Sequence, residues 1–491
     1  MNLARLLLDR AARSPEARFG TTDAPMRSRD AVDRASRLAE LLDAEGIAPG
    51  HRVALVGATS ADYLVAWAGL QLAGVEAALI NPNYPGPMLA ELVDDLDPVA
   101  TIVVEPAADW AALGGRVLDV TGVADGSVVV DGVTTSLTPG MWERAPGRDR
   151  PSDAIAGYMH TSGTTGPPKF CAQSQRYFVE LGAAVAAALE LRNDDVVLAP
   201  LPMFHINPLG YGVGAALSSG AGLLGRRRFS ASEFWNDVRR FDVTALVLHG
   251  PPLEILKRGD AVRNGVRTMF WADLDFMERF DVPLAVSAYG STEAAGISNL
   301  QQWTVAAARA AGPIDLSRVG GESRDGLEWT LDEGEILVRE REPGVGTMFS
   351  GYLRDGSVEP ALGADGWFRT GDLGATCPQG LRFVERRAES IRVKGEYVPI
   401  PMLEERYREL PGVEDLALWK RPGALGDDEL VLFTAPALPD SEALSAVAAD
   451  LPGFMRPSSL VAVAEIPRDD GVGKVRRRLL DSLERLDEVE L

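Results

Sequence analysis

The stretch Tyr158-Met-His-Thr-Ser-Gly-Thr-Thr-Gly-Pro-Pro-Lys169 carries more information about the fold than any other part of the chain. An apolar run from Ala154 to Met159 predicts a buried strand, and a loop of Gly, Ser and Thr follows it. Small residues leave backbone N–H groups free to surround an anion, as the glycine-rich loops of phosphate sites do. The residues alone also fit a solvated turn, but the strand and the closing lysine favour a phosphate loop.

Five further motif-like segments follow in the chain. They are Pro200-Leu-Pro-Met-Phe-His205, Tyr289-Gly-Ser-Thr-Glu293, Gly366-Trp-Phe-Arg-Thr-Gly-Asp-Leu-Gly374, the stretch from Arg386 to Glu396, and Gly473-Lys474. Together with the phosphate loop, they resemble in order the motifs of the adenylate-forming (ANL) superfamily, which includes acyl-CoA ligases, stand-alone adenylation domains and luciferases. The resemblance covers most of the chain and is strongest to the carnitine, aryl and fatty acid CoA-ligase type.

This resemblance implies an α/β fold with two domains. A large N-terminal acyl- and nucleotide-binding domain, residues 1–385, would contain two α/β sheets and a β-rich subdomain. A hinge at 385–389 would lead to a small mobile α+β domain, residues 386–491. The sequence pattern supports this organisation independently of the resemblance. Helix–strand alternation with continuous apolar strands before residue 319 gives way to short strands and Gly-rich turns after it.

Individual elements can be placed in the N-terminal third. Arg52–Val56 and Val75–Ile80 predict buried strands, and Ser60 is expected to begin a helix that reaches Ala73. Asp30 is expected to cap an earlier helix.

Composition limits the classes of partner. The 491 residues carry a formal net charge of −22, which argues against nucleic acid and anionic membranes. No run approaches the roughly 18 apolar residues of a membrane span, so no span is expected. Two cysteines and an N-terminus interrupted by charges favour the cytoplasm. The four histidines have no metal-ligand spacing.

The resemblance implies an enzyme, an AMP-forming acid–thiol ligase. ATP with Mg²⁺ would convert a small-molecule carboxylic acid to an acyl-adenylate, or the enzyme would take up a preformed acyl-adenylate, and the thiol of CoA would then take the acyl group. A carrier protein as the acceptor and a homodimer as the assembly stay open. A non-catalytic relative that binds nucleotide or acyl ligand is the alternative of a different class.

The resemblance also assigns nucleotide and CoA contacts. The phosphate loop would contribute Thr161, Ser162, Gly163, Thr164, Thr165, Gly166 and Lys169. Thr292 would bond the α-phosphate and Glu293 would hold Mg²⁺, although Ser-Thr-Glu alone is typical of a helix N-cap. The remaining assignments are Tyr289 for the nucleotide, Asp372 and Arg386 for the ribose, Lys474 as the adenylation lysine, and Gly395 for the pantetheine arm. From its residues alone, Asp372 also fits an Asx-turn.

Expected neighbours of the acyl group are Phe204, His205, Tyr211, His249 and Ile297, a mainly apolar set.

Of four departures from the superfamily pattern, the one in the adenine region bears most directly on ATP binding. Where small residues usually form one side of the adenine slot, Arg267-Thr-Met-Phe-Trp-Ala-Asp-Leu-Asp-Phe276 places the bulky side chains of Phe270 and Trp271. The departure predicts weak ATP binding, unless Trp271 itself stacks on the adenine. An enzyme poor at the adenylation half-reaction is therefore one form of the prediction.

Overall fold

A computed structural model describes residues 1–84, 86–105, 116–130, 133–136, 145–161, 169–386, 391–393, 396–398, 400–408, 410–423, 427–449, 451–468 and 475–491. The chain divides into two compact units. One contains Met1–Pro82, Gly86–His160 and Phe170–Glu385, and the other is formed mainly by Arg386–Leu491. The domain bounds and the hinge expected from the sequence stay predictions.

The helices are α1 (Leu3–Arg13), α2 (Ser28–Ala44), α3 (Ala61–Ala73), α4 (Gly86–Leu96), α5 (Gln175–Ala188), α6 (Ala215–Ser219), α7 (Ala231–Arg240), α8 (Gly250–Lys257), α9 (Leu274–Arg279), α10 (Val305–Ala310), α11 (Ile400–Tyr407) and α12 (Ser441–Ala448).

The strands are β1 (Phe19–Thr21), β2 (Arg52–Val56), β3 (Glu76–Ile80), β4 (Ala100–Val103), β5 (Val117–Asp119), β6 (Ser127–Val130), β7 (Val133–Ser136), β8 (Ile155–Thr161), β9 (Lys169–Ser174), β10 (Val196–Ala199), β11 (Gly222–Gly225), β12 (Ala245–Val247), β13 (Thr268–Phe270), β14 (Leu284–Tyr289), β15 (Asn299–Thr304), β16 (Val319–Ser323), β17 (Leu327–Asp332), β18 (Glu335–Glu340), β19 (Gly351–Arg354), β20 (Ser357–Glu359), β21 (Phe368–Cys377), β22 (Gly380–Arg386), β23 (Ile391–Val393), β24 (Glu396–Val398), β25 (Asp415–Pro422), β26 (Asp428–Ala435), β27 (Ser459–Val463) and β28 (Arg485–Glu490).

Two large sheets organise the first unit. The first has the order β20-β19-β9-β8-β3-β2-β4-β5-β6-β7, with β8, β3, β2 and β4 parallel. The second has the order β1-β11-β10-β12-β13-β14-β15-β16-β22-β21-β18-β17. The first six strands in this order, β1, β11, β10, β12, β13 and β14, run parallel. The predicted α/β class is confirmed. The short strands expected after residue 319 are present, and in the described chain they extend both large sheets.

The helix α3 shows how sequence fixes an element in this core. The Ser60 hydroxyl accepts the backbone N–H of Tyr63, as the N-cap prediction requires. Almost every residue from Ala61 to Ala73 is buried, because the helix is apolar on all sides. Gly74 ends it in the left-handed conformation at φ 73°.

The prediction that Asp30 caps α2 is wrong. The helix begins at Ser28, its cap position is Arg27, and Asp30 lies in its first turn. The start is fixed by tertiary contacts instead, since the Ser28 N–H donates to Ala17 O and the Ser28 hydroxyl accepts from Arg10 Nε.

The second unit contains the sheet β25-β26-β27-β28 and the hairpin β23-β24. Its buried ion pair joins Arg477 to both oxygens of Glu404 at 2.6 and 2.7 Å. The same guanidinium donates to Leu418 O, so the pair links α11 to β25. Among the described helices of either unit, none combines the length and apolar character that crossing a membrane requires.

Candidate active site

Two predicted motifs meet at a hydrogen bond between Tyr289 and Asp372. Tyr289 ends β14 and Asp372 lies within β21, 83 positions later, and the Tyr289 hydroxyl donates to Asp372 Oδ2 at 3.0 Å. Both residues are buried, with exposed fractions of 6% and 3%. A carboxylate held in this way by a phenol donor can accept further hydroxyl protons, such as those of a ribose.

A register shift within β21 lies just before Asp372, and nearby polar groups hold the backbone there in place. Thr370 Oγ1 accepts the Asp372 N–H at 3.1 Å and donates to Ile336 O, while the Gly371 N–H donates to Glu335 Oε1. The positive φ of 72° at Gly371 is one that side chains other than glycine rarely adopt. The Gly374 N–H, which an Asx-turn at Asp372 would bind, donates to Gly334 O instead, so the Asx-turn considered from the sequence does not form.

The turn after Tyr289 carries Thr292 and Glu293. It connects β14 to β15, and no helix begins within it, so the helix N-cap interpretation of Ser-Thr-Glu is wrong. Ser291 accepts the Ala294 N–H through its hydroxyl and the Gly296 N–H through its carbonyl. The turn is thus held by its own polar groups.

A phenol and a carboxylate meet beside this turn. Tyr352 in β19 donates its hydroxyl to Glu293 Oε1 at 3.3 Å, and Glu293 is half-buried. Burial first, and then the charge of Glu293, raise the pKa of the Tyr352 phenol, so it stays a donor. A single carboxylate with this support fits Mg²⁺, which usually keeps water and phosphate oxygens as its other ligands. No cluster of three or more metal-ligating side chains occurs in the part of the chain that the structure describes.

The two strands that flank the phosphate loop end at predicted site residues. Thr161 is the last residue of β8, and Lys169 is the first of β9. The loop residues Ser162, Gly163, Thr164, Thr165 and Gly166 lie outside the described residues, as do Gly395, Lys474 and the side chain of Arg386. Their predicted roles are therefore not tested.

Three aromatic side chains form the first part of the expected acyl site. The ring centroids of Phe204 and His205 lie 4.7 Å apart, and His160 lies 6.3 Å from Phe204 and 6.2 Å from His205. A π-helix, Asn207–Gly214, begins directly after this cluster. Such a widened turn is frequent at functional sites.

Tyr211 lies on that π-helix and connects the cluster to the turn after Tyr289. Its hydroxyl donates to Gly296 O at 2.9 Å, and its ring lies 4.8 Å from that of Phe270. Ile297 belongs to the same buried apolar core. Four of the five predicted acyl residues (Phe204, His205, Tyr211 and Ile297) thus lie on or against one core.

His249 lies beside the segment with the unusual side chains. Its ring centroid is 6.4 Å from that of Trp271, which follows β13 with φ 95°. Trp271 is half-buried, and a Cβ at Gly250 would lie 3.5 Å from its ring. Positive φ is an outlier for so bulky a residue, and the bond from Trp271 N–H to Val286 O at 2.7 Å holds it there. Phe270, by contrast, is a core residue against Tyr211.

Sequence reasoning missed two residues next to this site. Tyr177 in α5 donates its hydroxyl to Thr292 O at 3.0 Å. Arg324, in the turn after β16, is buried beside Tyr177 and Tyr211. Neither position belongs to a motif, and no local pattern in the sequence distinguishes them.

Comparison with known proteins gives a consistent result. Residues 9–353 match the AMP-binding enzyme family. The chain is similar to the medium/long-chain-fatty-acid–CoA ligase FadD6 of Mycobacterium tuberculosis, with 29% identity over 93% of this chain and 81% of that protein. It is equally similar to the indoleacetate–CoA ligase of Aromatoleum aromaticum, with 29% identity over 90% of each chain. In fold, it resembles the amide bond synthetase McbA from Marinactinospora thermotolerans, with a TM-score of 0.80, 23% identity, and coverage of 98% of this chain and 99% of that one.

Proposed function

The chain belongs to the family of AMP-binding enzymes, and on that premise we propose that it joins a carboxylic acid to CoA through an acyl-adenylate. In the first half-reaction, an oxygen of the acid attacks the α-phosphorus of ATP and pyrophosphate leaves. In the second, the CoA thiolate attacks the acyl carbon and AMP leaves. A carboxylate alone has a poor leaving group, and AMP replaces it with a good one.

The Tyr289–Asp372 pair is the observation that carries this proposal. It brings the two motifs expected to surround the nucleotide within 3.0 Å, although they are distant in sequence. Asp372 would accept the ribose hydroxyls, and Tyr289 orients the carboxylate. A carboxylate with a phenol donor on one oxygen keeps lone pairs for a diol.

The remaining nucleotide contacts would come from residues around the same strands. Glu293 would hold Mg²⁺, which when bound offsets the charge of the phosphates. Lys169 would add a positive charge at the end of the phosphate loop, and Thr292 a hydroxyl. Arg386, Lys474 and Gly395 keep their predicted roles at the ribose, in adenylation and at the pantetheine arm. Lys474 and Gly395 would act in two different orientations of the mobile domain that follows residue 385, one for each half-reaction.

Trp271 supports the finer proposal that adenylation is the weaker half-reaction. Its indole follows β13, where the superfamily pattern has small residues, and its backbone is in an unfavourable conformation. An acyl-adenylate would bind through the acyl core as well as the ribose contacts, whereas ATP lacks the acyl contacts. Each 1.4 kcal/mol lost is about a tenfold loss of affinity.

The two cysteines bear on the cellular compartment in which the enzyme would act. Both cysteines, Cys171 and Cys377, are free thiols, which supports a reducing compartment such as the cytoplasm. A small-molecule acid, ATP and CoA would be the reactants there.

The experiment supplies the two half-reactions separately. Purified protein is incubated with CoA and either ATP, Mg²⁺ and a panel of acids, or synthetic acyl-adenylates, and AMP, pyrophosphate and thioester are measured. Thioester from adenylate, with slower pyrophosphate release from ATP, is the expected result. A parallel reaction replaces CoA with a carrier protein that bears pantetheine, and thioester in that reaction alone would favour the carrier-loading alternative. No product under any of these conditions would contradict the proposal.

A further inference from the structure

The guanidinium of Arg324 is buried without a hydrogen-bond partner among the described residues. Only 7% of the residue is exposed, and Nε and both terminal nitrogens are enclosed and unpartnered. The Arg324 backbone N–H donates to Ser298 O at 2.8 Å, which fixes the residue beside the turn that follows Tyr289.

This arrangement is unfavourable unless something else binds there. A guanidinium offers five N–H donors and remains charged at neutral pH, and an unpaired buried charge is among the least favourable groups in a protein. Burial lowers the pKa of Arg324 from its ordinary value, and the nearby phenols and Glu180 only partly oppose this. Buried polar groups that lack partners in a native protein call for an explanation such as a ligand.

The position of Arg324 connects it to the expected acyl site. Its charge interacts with Tyr177, Glu180 and Tyr211. Tyr177 and Tyr211 donate their hydroxyl protons to the backbone of the turn at Thr292 and Gly296. Arg324 therefore lies near the turn that follows Tyr289. The residue after that turn, Ile297, belongs to the apolar acyl core.

A groove on the α5 side of Arg324 offers space for a ligand. Arg324 lines a groove of about 1090 Å³ together with Glu180, Thr347 and a row of small side chains on α5 (Ala183, Ala184, Ala187 and Ala188). Glu180 accepts the Thr347 hydroxyl at 2.6 Å and makes no hydrogen bond to Arg324. Three more carboxylates, Glu322, Asp325 and Glu342, also line the groove, and none of them bonds to the guanidinium of Arg324.

We propose that Arg324 binds a second carboxylate at the far end of the acyl substrate, so that the preferred substrates are dicarboxylic acids. This inference rests on the proposed ligase function. The first carboxylate is activated, and the second forms charge-assisted hydrogen bonds with the guanidinium, whose fork matches a carboxylate. The second carboxylate undergoes no covalent change. A small movement of the Arg324 side chain toward the groove would open its donors to the ligand.

The test compares matched pairs of acids with the full-length protein. Hexanoic and adipic acid form one pair, and octanoic and suberic acid the other, each with ATP, Mg²⁺ and CoA. We expect kcat/KM to favour the dicarboxylic member by roughly 10–100-fold, the factor that a hydrogen bond to a charged group is worth. Arg324→Met should remove that preference while keeping turnover of the monocarboxylic acids, and Arg324→Lys should keep part of it.

Matched variants and a second ligand source make the outcomes distinct. Arg341→Met changes an exposed cation that lines the same groove and should leave the preference intact. If adipate and suberate protect wild-type protein, but not Arg324→Met, against heat while only the monocarboxylic acids give thioester, the carboxylate belongs to a separate ligand and the substrate assignment is overturned. Thioester from both members at equal kcat/KM overturns it too, while the ligase function stands. Absence of thioester and adenylate from every acid contradicts the ligase function itself.

Discussion

Two buried arginines in the first unit differ in whether their guanidinium groups have hydrogen-bond acceptors. Arg10, 2% exposed, donates to Ser28 Oγ, Ala216 O and Arg18 O, so it connects α1 to α2 and α6. The side chain of Arg324, a residue that is 7% exposed, donates to no acceptor among the described residues. In the second unit, Arg477 is satisfied as fully as Arg10. The comparison indicates that satisfied buried cations hold the fold together, whereas the unsatisfied one is kept for a ligand.

The largest effect is expected for Arg477→Met. The change leaves the Glu404 carboxylate buried without its cation, which costs about 3–5 kcal/mol of unfolding free energy. Hydrogen exchange of amides in α11 and β25 would report the loss within the second unit. Arg485→Met is the control, since its pair with Glu488 is more exposed and is worth about 0–1 kcal/mol. Equal exchange rates in the two variants would contradict the architectural role.

Arg10→Met should destabilise the first unit by about 2–3 kcal/mol, because two buried acceptors and one half-buried acceptor lose their donor. Thermal unfolding and exchange of α1 and α2 amides would measure it. Arg13→Met, on the exposed face of the same helix, should change the midpoint little. If both variants unfold alike, the bonds of Arg10 contribute no more than a surface charge.

Asp372→Asn extends the comparison to a buried anion that has a hydrogen-bond donor and is also proposed to bind the ribose. We expect kcat/KM to fall about 10–100-fold in both half-reactions, since a hydrogen bond to a charged group is worth about 1.5–3 kcal/mol. Asp332→Asn, an exposed partner of Arg369, is the control. Loss of only the ATP half-reaction would contradict a ribose contact, because the ribose is shared by ATP and the adenylate.

Sequence alone predicted the parts that depend on local pattern. Ser60 begins α3 as expected, because a serine before an apolar helical run caps it regardless of the surroundings. The start of α2 was missed, because Ser28 is fixed by Arg10 and Ala17 from elsewhere in the fold.

In the candidate site, too, the motif residues could be predicted from the sequence, whereas the contacts between them could not. Tyr289 and Asp372 were identified by their motifs, while the bond between them depends on strands far apart in sequence. The missing partners of Arg324 leave no trace in a single sequence, because burial and pairing arise only when α5, the π-helix and the turn after β16 pack together.

Trp271→Gly is expected to have a smaller effect than the changes above. Removing the indole and the unfavourable φ should strengthen ATP binding about tenfold and stabilise the first unit by about 1 kcal/mol. Calorimetry with ATP–Mg²⁺ would measure the first change and thermal unfolding the second. Asp281→Gly relieves a positive φ of 56° at an exposed position and should stabilise without changing ATP affinity. Weaker ATP binding in Trp271→Gly would mean that the indole stacks on the adenine.

The thermal midpoint of the ligand-free first unit in Arg324→Met, measured beside Arg10→Met, tests the central claim most directly. Replacing an unpaired buried charge with an apolar side chain of similar length should leave the midpoint unchanged or raise it, whereas Arg10→Met lowers it. A fall in Arg324→Met as large as that in Arg10→Met would show that Arg324 is part of the architecture and would contradict the account.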